Sequence, residues 1–311
     1  MSGCSPTLGI VSETSTSTPV HSPIATEPLR ASLSPSRAGD FKTCPLLYRF
    51  RSIDRLPQKP TLATSRGTVV HSVLERLFDL PQAERTIARA SDLVRPAWDD
   101  LIAAEPEIAE LFADDADGSG LERFLTQARA LVSTYFQMED PSRFEPSGRE
   151  LLVETTVGEG EGLLLRGYVD RLDEAPDGRI RVVDYKTGAA PREAFEAKAL
   201  FQMKFYALVI WRNTGTIPAQ LKLMYLSEGD SLMYSPEERE LLSLERQLGA
   251  LWAAIERSLR AEEFRANPSK LCGWCDFKDL CPAYGGTPPP FPRERVVDVA
   301  IDRRSEGVGT D

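Results

Sequence analysis

The chain has 311 residues, of which 41% are hydrophobic and 27% charged, with a formal net charge of −10. That length can bury one large core or two small ones, and the composition is that of an ordinary globular protein rather than a fibrous or low-complexity one. The acidic total excludes a protein that coats nucleic acid by bulk charge, although an enzyme could still grip it in one local groove.

Residues 1–33 are rich in Ser, Thr and Pro and poor in apolar side chains, so the entropy of ordering them goes unopposed and a disordered arm is expected. The start also lacks a basic stretch followed by an apolar one, and no apolar run reaches the roughly 18–20 residues of a membrane span. No membrane partner is expected, and the expected location is cytoplasmic. The folded domain is expected over 34–284. It opens at Ser34-Pro35-Ser36, a helix start leading into Phe41, Leu46, Leu47 and Phe50. Between Arg37 and Arg66, the cations Lys42, Arg49, Arg51, Arg55 and Lys59 face only Asp40 and Asp54, which reads equally as a nucleic-acid strip or a solvated face.

A helix over about 66–80 has Val69, Val70, Val73, Leu74, Leu77 and Phe78 on its apolar side and carries His71, with Glu75 one turn on. Residues 83–138 form a helical insertion, broken around Glu105-Pro106 and 114–120 and closed by Pro141. The period then changes to two. Strands are expected at 150–157, 163–172 and 179–185, joined by the turn chemistry of 158–162 and Pro176-Asp177-Gly178. A helix over 192–212, a strand over 220–226 and a helix over 237–265 follow, and 285–311, with its Pro288-Pro289-Pro290 run, reads as a disordered tail. The fold class is therefore α/β, a mixed central sheet flanked by helices, its last strand reached through a crossover helix.

The strongest chemical signal lies at two strand ends. Asp170 closes Gly167-Tyr168-Val169, and Asp184 and Lys186 close Arg181-Val182-Val183, with alternation turning Asp184 and Lys186 to one face. Carboxylates there suit a hard divalent cation, and an adjacent ammonium suits a water or phosphate oxygen, which together make metal-assisted phosphodiester hydrolysis the expected chemistry. His71 follows Gly67-Thr68, small residues that permit close approach. A lone helical histidine is more often a satisfied core residue, but as a neutral imidazole it could complete a metal site. Gln202 and Tyr206 share one helix face and either pack there or reach into the cleft. Glu154 either reaches the same cleft or faces solvent. Cys272, Cys275 and Cys281 fall within ten positions, and Cys44 is the remaining cysteine in folded sequence. Four thiolates suit zinc or an iron-sulfur cluster, and the lone distant ligand counts against the paired loops usual for zinc.

As an ordered set over about 33–282, these residues resemble the PD-(D/E)XK nuclease superfamily, specifically RecB-family exonucleases and their iron-sulfur relatives, including the AddB nuclease domain and CRISPR-associated adaptation nucleases. His71 matches the helix histidine, Asp170 the first acidic position, Asp184-Tyr185-Lys186 the D-x-K, and Gln202 with Tyr206 the Q-x-x-x-Y motif. The resemblance implies a restriction-endonuclease-like core and Mg²⁺ or Mn²⁺ held by His71, Asp170, Asp184 and the Tyr185 carbonyl, with Lys186 orienting or deprotonating the attacking water. It also implies a [4Fe-4S] cluster on Cys44, Cys272, Cys275 and Cys281, with structural zinc the alternative. The expected function is a DNA exonuclease in repair or recombination. The alternatives are a non-catalytic DNA-end-binding or partner-docking module, or a CRISPR-adaptation-type nuclease, which the long insertion disfavours. No G-x-x-x-x-G-K-[ST] occurs, so a helicase or recombination motor would be a separate partner.

Overall fold

The computed structural model describes residues 32–115, 117–158, 162–189 and 193–293, with side chains from 197 onward in the last span. Most of the expected arm and the tail from 294 lie outside the described residues. The expected boundaries nevertheless move at both ends. Ser32–Leu33 form a short buried strand, β1, and Phe291 stacks on Phe264 at 6.1 Å while the Pro289 carbonyl accepts from Arg49.

After β1 come α1 (Pro35–Thr43), α2 (Pro45–Tyr48) and a π-helical turn over Arg49–Ile53. Ser34 caps α1 by accepting from the Arg37 amide, with Pro35 at the first helical position, so the start read from the sequence is used as expected. Then follow α3 (Leu62–Leu77), the insertion helices α4 (Ile87–Asp92), α5 (Val94–Ala104) and α6 (Ser119–Met138), and the strands β2 (Gly148–Val157), β3 (Leu163–Glu174) and β4 (Ile180–Lys186). The crossover helix α7 (Glu193–Thr214) leads to β5 (Gln220–Tyr225), an unexpected edge strand β6 (Asp230–Tyr234), and α8 (Glu238–Ala261).

The sheet is mixed. β2 and β3 are antiparallel, β4 runs parallel to β5 across α7, and β6 returns antiparallel. Along its other edge β3 is shared between two strands: β1 pairs at Leu164 and Leu165, and β4 pairs only over Arg171 to Glu174. Residues 166–170 of β3 are left without a ladder partner on that edge, and there the sheet splits open.

Alternation on β4 and β5 separates two cores. Val182, Leu221 and Leu223 pack with α1, α2, α7 and α8, whereas Val183, Tyr185 and Met224 pack with α3 to α6. The insertion is therefore a structural layer rather than an appendage, with Leu125, Val132 and Tyr135 fully buried. Arg171 lies beneath it, also fully buried. Its guanidinium ion-pairs with Glu139, which caps the end of α6, and lies 3.0 Å from Asp173, and it donates to the Tyr185 hydroxyl at 2.7 Å.

Candidate active site and thiol cavity

The split in the sheet is where the candidate residues meet. β4 diverges from β3 beyond Val183, and the Tyr185 amide, with no β3 residue in register, donates instead to Asp170 Oδ2 at 2.7 Å. From the α3 side, His71 Nε2 lies 2.9 Å from the Tyr185 carbonyl oxygen and Nδ1 lies 3.5 Å from Asp170 Oδ2. Gly67, one turn earlier on α3, allows close packing there, since a Cβ would sit 3.3 Å from Thr187 Oγ1.

From the opposite side, α7 contributes an amide bridge. Gln202 accepts from Lys186 Nζ at 3.1 Å and donates towards Asp184 Oδ1 at 3.1 Å and the Tyr206 hydroxyl at 3.0 Å. Lys186 Nζ also lies 2.6 Å from Asp184 Oδ2. The residues read from the two strands and two helices thus form one constellation, apart from Glu154. That residue is exposed, four positions or about 13 Å along β2 from Glu150, and its carboxylate is not part of the group.

The acid that takes this place is Glu150, which the sequence reading passed over. Glu150 has φ +41°, a region costly for a residue with a Cβ, and its Oε1 lies 3.9 Å from His71 Nδ1. Opposite it, the two-residue alternation of β3 breaks. Val169 packs on the α7 side, whereas Arg171, two positions on, contacts Tyr135 and Tyr185 on the α3 side. Strict alternation along β2 offers no reason to choose Glu150; a signal was available only in its position just inside the strand start, facing the aspartate of the next strand.

Ligand atoms of His71, Glu150 and Asp170 all lie within 4.8 Å of one another. The electrostatics follow from crowding. Burial lowers the His71 pKa, but hydrogen bonds to Asp170 and Glu150 and the charges of Asp170 and Asp184 outweigh it and lift the value to about 10. Burial and the Asp170 charge raise Asp184 to about 6, against the opposing pull of Lys186. Lys186 is in turn raised, because the Asp184 charge and hydrogen bond overcome its desolvation. A site with this excess of acceptors suits a hard cation. The buried Asp184 Oδ2 faces the Lys186 ammonium at 2.6 Å and meets no other hydrogen-bond donor among the described residues.

The four expected thiols line a second, apolar cavity between the ends of the fold. Cys44 caps the junction of α1 and α2, and Cys272, Cys275 and Cys281 follow in short turns after α8. The two chain regions are held by the Asn267 side-chain amide on the Thr43 carbonyl at 2.9 Å and the Leu46 amide on the Arg265 carbonyl at 3.3 Å. Two sulfurs already accept backbone amides, Cys44 from Asn267 at 3.4 Å and Cys272 from Ser269 at 3.2 Å. The Ser269 bond is the first cause of the lowered Cys272 pKa, while burial raises Cys275. All four cysteines are free thiols.

Among the cations between Arg37 and Arg66, which read equally as a nucleic-acid strip or a solvated face, Lys42, Arg49 and Arg51 have partners. Arg49 pairs with Asp54 at 3.0 Å, Arg51 pairs with Asp40 at 2.9 Å, and the Lys42 ammonium sits over the Phe201 ring. Local acids and aromatics neutralise or occupy these cations. No helix among the described residues is long and apolar enough to cross a membrane.

The chain is similar to several known proteins. The model of the PD-(D/E)XK nuclease superfamily matches residues 32–282. The Gene 69 protein of Mycobacterium phage D29 is 25% identical over 272 residues, covering 83% of this chain and 97% of that protein. An ATP-dependent helicase/nuclease chain of Acetivibrio thermocellus is 32% identical over 161 residues, which is 48% of this chain but 12% of that protein. A crystal structure of an exonuclease candidate from Eubacterium rectale is 12% identical, covering 79% of this chain and 93% of that one with a TM-score of 0.48.

Proposed function

Because the chain belongs to the PD-(D/E)XK nuclease superfamily, we propose that it is a divalent-metal-dependent deoxyribonuclease that digests DNA from an end, in repair or recombination. The observation that carries the reading is the meeting of His71, Glu150 and Asp170 at one opening of the sheet, with the Asp184–Lys186 pair beside them. His71, Glu150, Asp170, Asp184 and the Tyr185 carbonyl would hold Mg²⁺ or Mn²⁺. When bound, the cation supplies charge neutralisation at the scissile phosphate and a lowered pKa for attacking water.

The chain's own groups supply the rest. Asp184 and Gln202 fix the Lys186 ammonium, which is thereby aimed rather than free to swing and can orient a water or offset charge developing on a phosphoryl oxygen. Asp170, bonded to the Tyr185 amide, holds the middle of β3 and the end of β4 at a set separation. Burial of Asp184 against the floor of the cleft keeps the charge of that pair from being screened by solvent.

A [4Fe-4S] cluster on Cys44, Cys272, Cys275 and Cys281 would occupy the thiol cavity in a structural role. Among the described residues no three of these sulfurs lie within 4.8 Å of one another. A single zinc with Zn–S bonds near 2.3 Å would draw its four sulfurs to roughly 3.8 Å. Amide donors on Cys44 and Cys272 also favour anionic sulfur. Strand opening would come from a separate motor protein, and the likeness to the helicase/nuclease of Acetivibrio thermocellus supports that reading.

The test is digestion of 5′- and 3′-labelled single- and double-stranded DNA with and without Mn²⁺. Metal-dependent release of short products from one end supports the proposal. Binding without any degradation contradicts it.

A further inference from the structure

A groove distinct from the acidic side of the site leaves it along β3, between the start of α1 and the first turns of α7. Its walls include Arg37, Arg166, Tyr168, Lys198, Gln202 and Tyr206. Gln202 belongs equally to the constellation around Asp184 and Lys186, so the groove opens directly onto the reacting groups.

Its charge is unbalanced. Among the described residues Arg37, Arg166 and Lys198 form no ion pair with a carboxylate, whereas Arg51 and Asp40 in the same wall neutralise each other. Arg37 is held in place by its bond to Ser32 Oγ at 2.8 Å. Burial lowers its pKa, and the charges of Arg55 and Arg166 lower it further. Arg37 and Arg166 crowd one another, Asp40 is the one carboxylate in this wall and is shared between Arg51 and Lys198, and the excess of cations is served by a row of phosphates, which fix register and position without reading sequence.

Beside these cations lies an exposed aromatic face. Tyr168 is 55% exposed, and Leu152, its partner in register on β2, is 39% exposed. A large apolar ring left in water next to a phosphate-binding wall suits base stacking. In a duplex the base faces are already stacked on their neighbours, so only an unpaired strand can offer one. Tyr168 is two residues from Asp170, about 6.6 Å along the strand, or about two stacked nucleotides.

We propose that this groove seats a single DNA strand on its way to the site, with its phosphates on Arg37, Arg166 and Lys198 and a base on Tyr168, which makes single-stranded DNA the substrate. The inference rests on the nuclease reading and deepens it.

The experiment is fluorescence anisotropy of the full chain in EDTA, with a labelled oligothymidylate and a labelled blunt duplex, across a series of salt concentrations. The single strand is expected to bind about tenfold or more tightly than the duplex. Tyr168→Ala should weaken single-strand binding roughly fivefold or more, the loss of one stacked base, and leave duplex binding unchanged. The pair Arg166→Ala and Lys198→Ala should reduce the slope of log affinity against log salt by about 1.4, two single-strand phosphate contacts. These three side chains are exposed, and an unchanged circular dichroism spectrum verifies folding. Equal affinity for strand and duplex, or wild-type affinity in Tyr168→Ala, overturns the inference. Metal-dependent cleavage that survives in the groove variants at wild-type rate overturns this inference alone. Groove-dependent strand binding without metal-dependent cleavage supports it and overturns the hydrolase reading instead.

Discussion

Replacing Gly167 with alanine tests how the sheet and α7 set the site. A Cβ there would lie 2.7 Å from Tyr206 Cε1 and 3.5 Å from Pro35 Cδ, whereas relaxed carbon contacts fall near 3.5–4.0 Å. The ring would have to retreat by about 0.8 Å or more. It has little room to do so, being 6% exposed and tied through its hydroxyl to Gln202. Overpacking of this kind costs about 1–3 kcal/mol, and for a folded region of this size each kcal/mol lowers Tm by about 2–4 °C, so a fall of roughly 2–12 °C is expected. The displaced ring also carries Gln202 away from Lys186 and Asp184, and a misplacement near 1 Å can reduce turnover by about two orders of magnitude. Thermal unfolding by calorimetry and Mn²⁺-dependent cleavage of a labelled oligonucleotide measure the two effects. Adding Tyr206→Leu, which removes the obstructing ring atoms, should make the two stability losses less than additive. A Gly167→Ala protein with unchanged Tm and cleavage would refute the packing argument.

Four further outcomes follow from the same geometry. Arg171→Met leaves the half-buried Glu139 and Asp173 beside fewer cations, and urea unfolding should show a loss of about 3–5 kcal/mol; a neutral result would mean that Lys222 and Arg181 suffice. Glu150→Gln should weaken Mn²⁺ binding measured by paramagnetic resonance while leaving the fold intact, and unchanged affinity would remove Glu150 from the ligand set. The His71 pKa is raised from 6.5 to about 10 in the folded, metal-free protein, so its contribution, of the order of a few kcal/mol, is complete below pH 6.5 and lost as pH rises through about 10. Since a metal ligand must be neutral, Mn²⁺ binding near pH 7 should release about one proton, which calorimetry in buffers of different ionisation enthalpy detects. Cys275→Ser should yield protein without brown visible absorption and with depleted iron, whereas a colourless wild type holding zinc would contradict the cluster.

Much of this architecture was legible in the residues because hydrophobic period and turn chemistry agreed. The apolar stripe from Val69 to Phe78 and the Asp177-Gly178 turn placed α3 and the β3–β4 hairpin to within a few positions. β6 was missed because Asp230 to Tyr234 is a short edge with no fully buried side chain, so it shows no strong alternation. Glu150 was missed for a different reason: its positive φ and the broken alternation of the facing strand are not written in the period-two hydrophobic pattern. The run of cations between Arg37 and Arg66 left two readings open because charge read along the chain does not reveal pairing. Arg51 finds Asp40 eleven residues away, while Arg166 and Lys198, distant in sequence, line one groove.

The central claim is that Lys186 and the carboxylates around it perform hydrolysis with a divalent cation. Single-turnover cleavage of an end-labelled oligonucleotide by wild type and Lys186→Ala, at saturating Mn²⁺ and with DNA binding measured in parallel, tests it most directly. The account predicts normal binding with cleavage reduced by about two orders of magnitude or more in the variant. Cleavage by Lys186→Ala at the wild-type rate would contradict it.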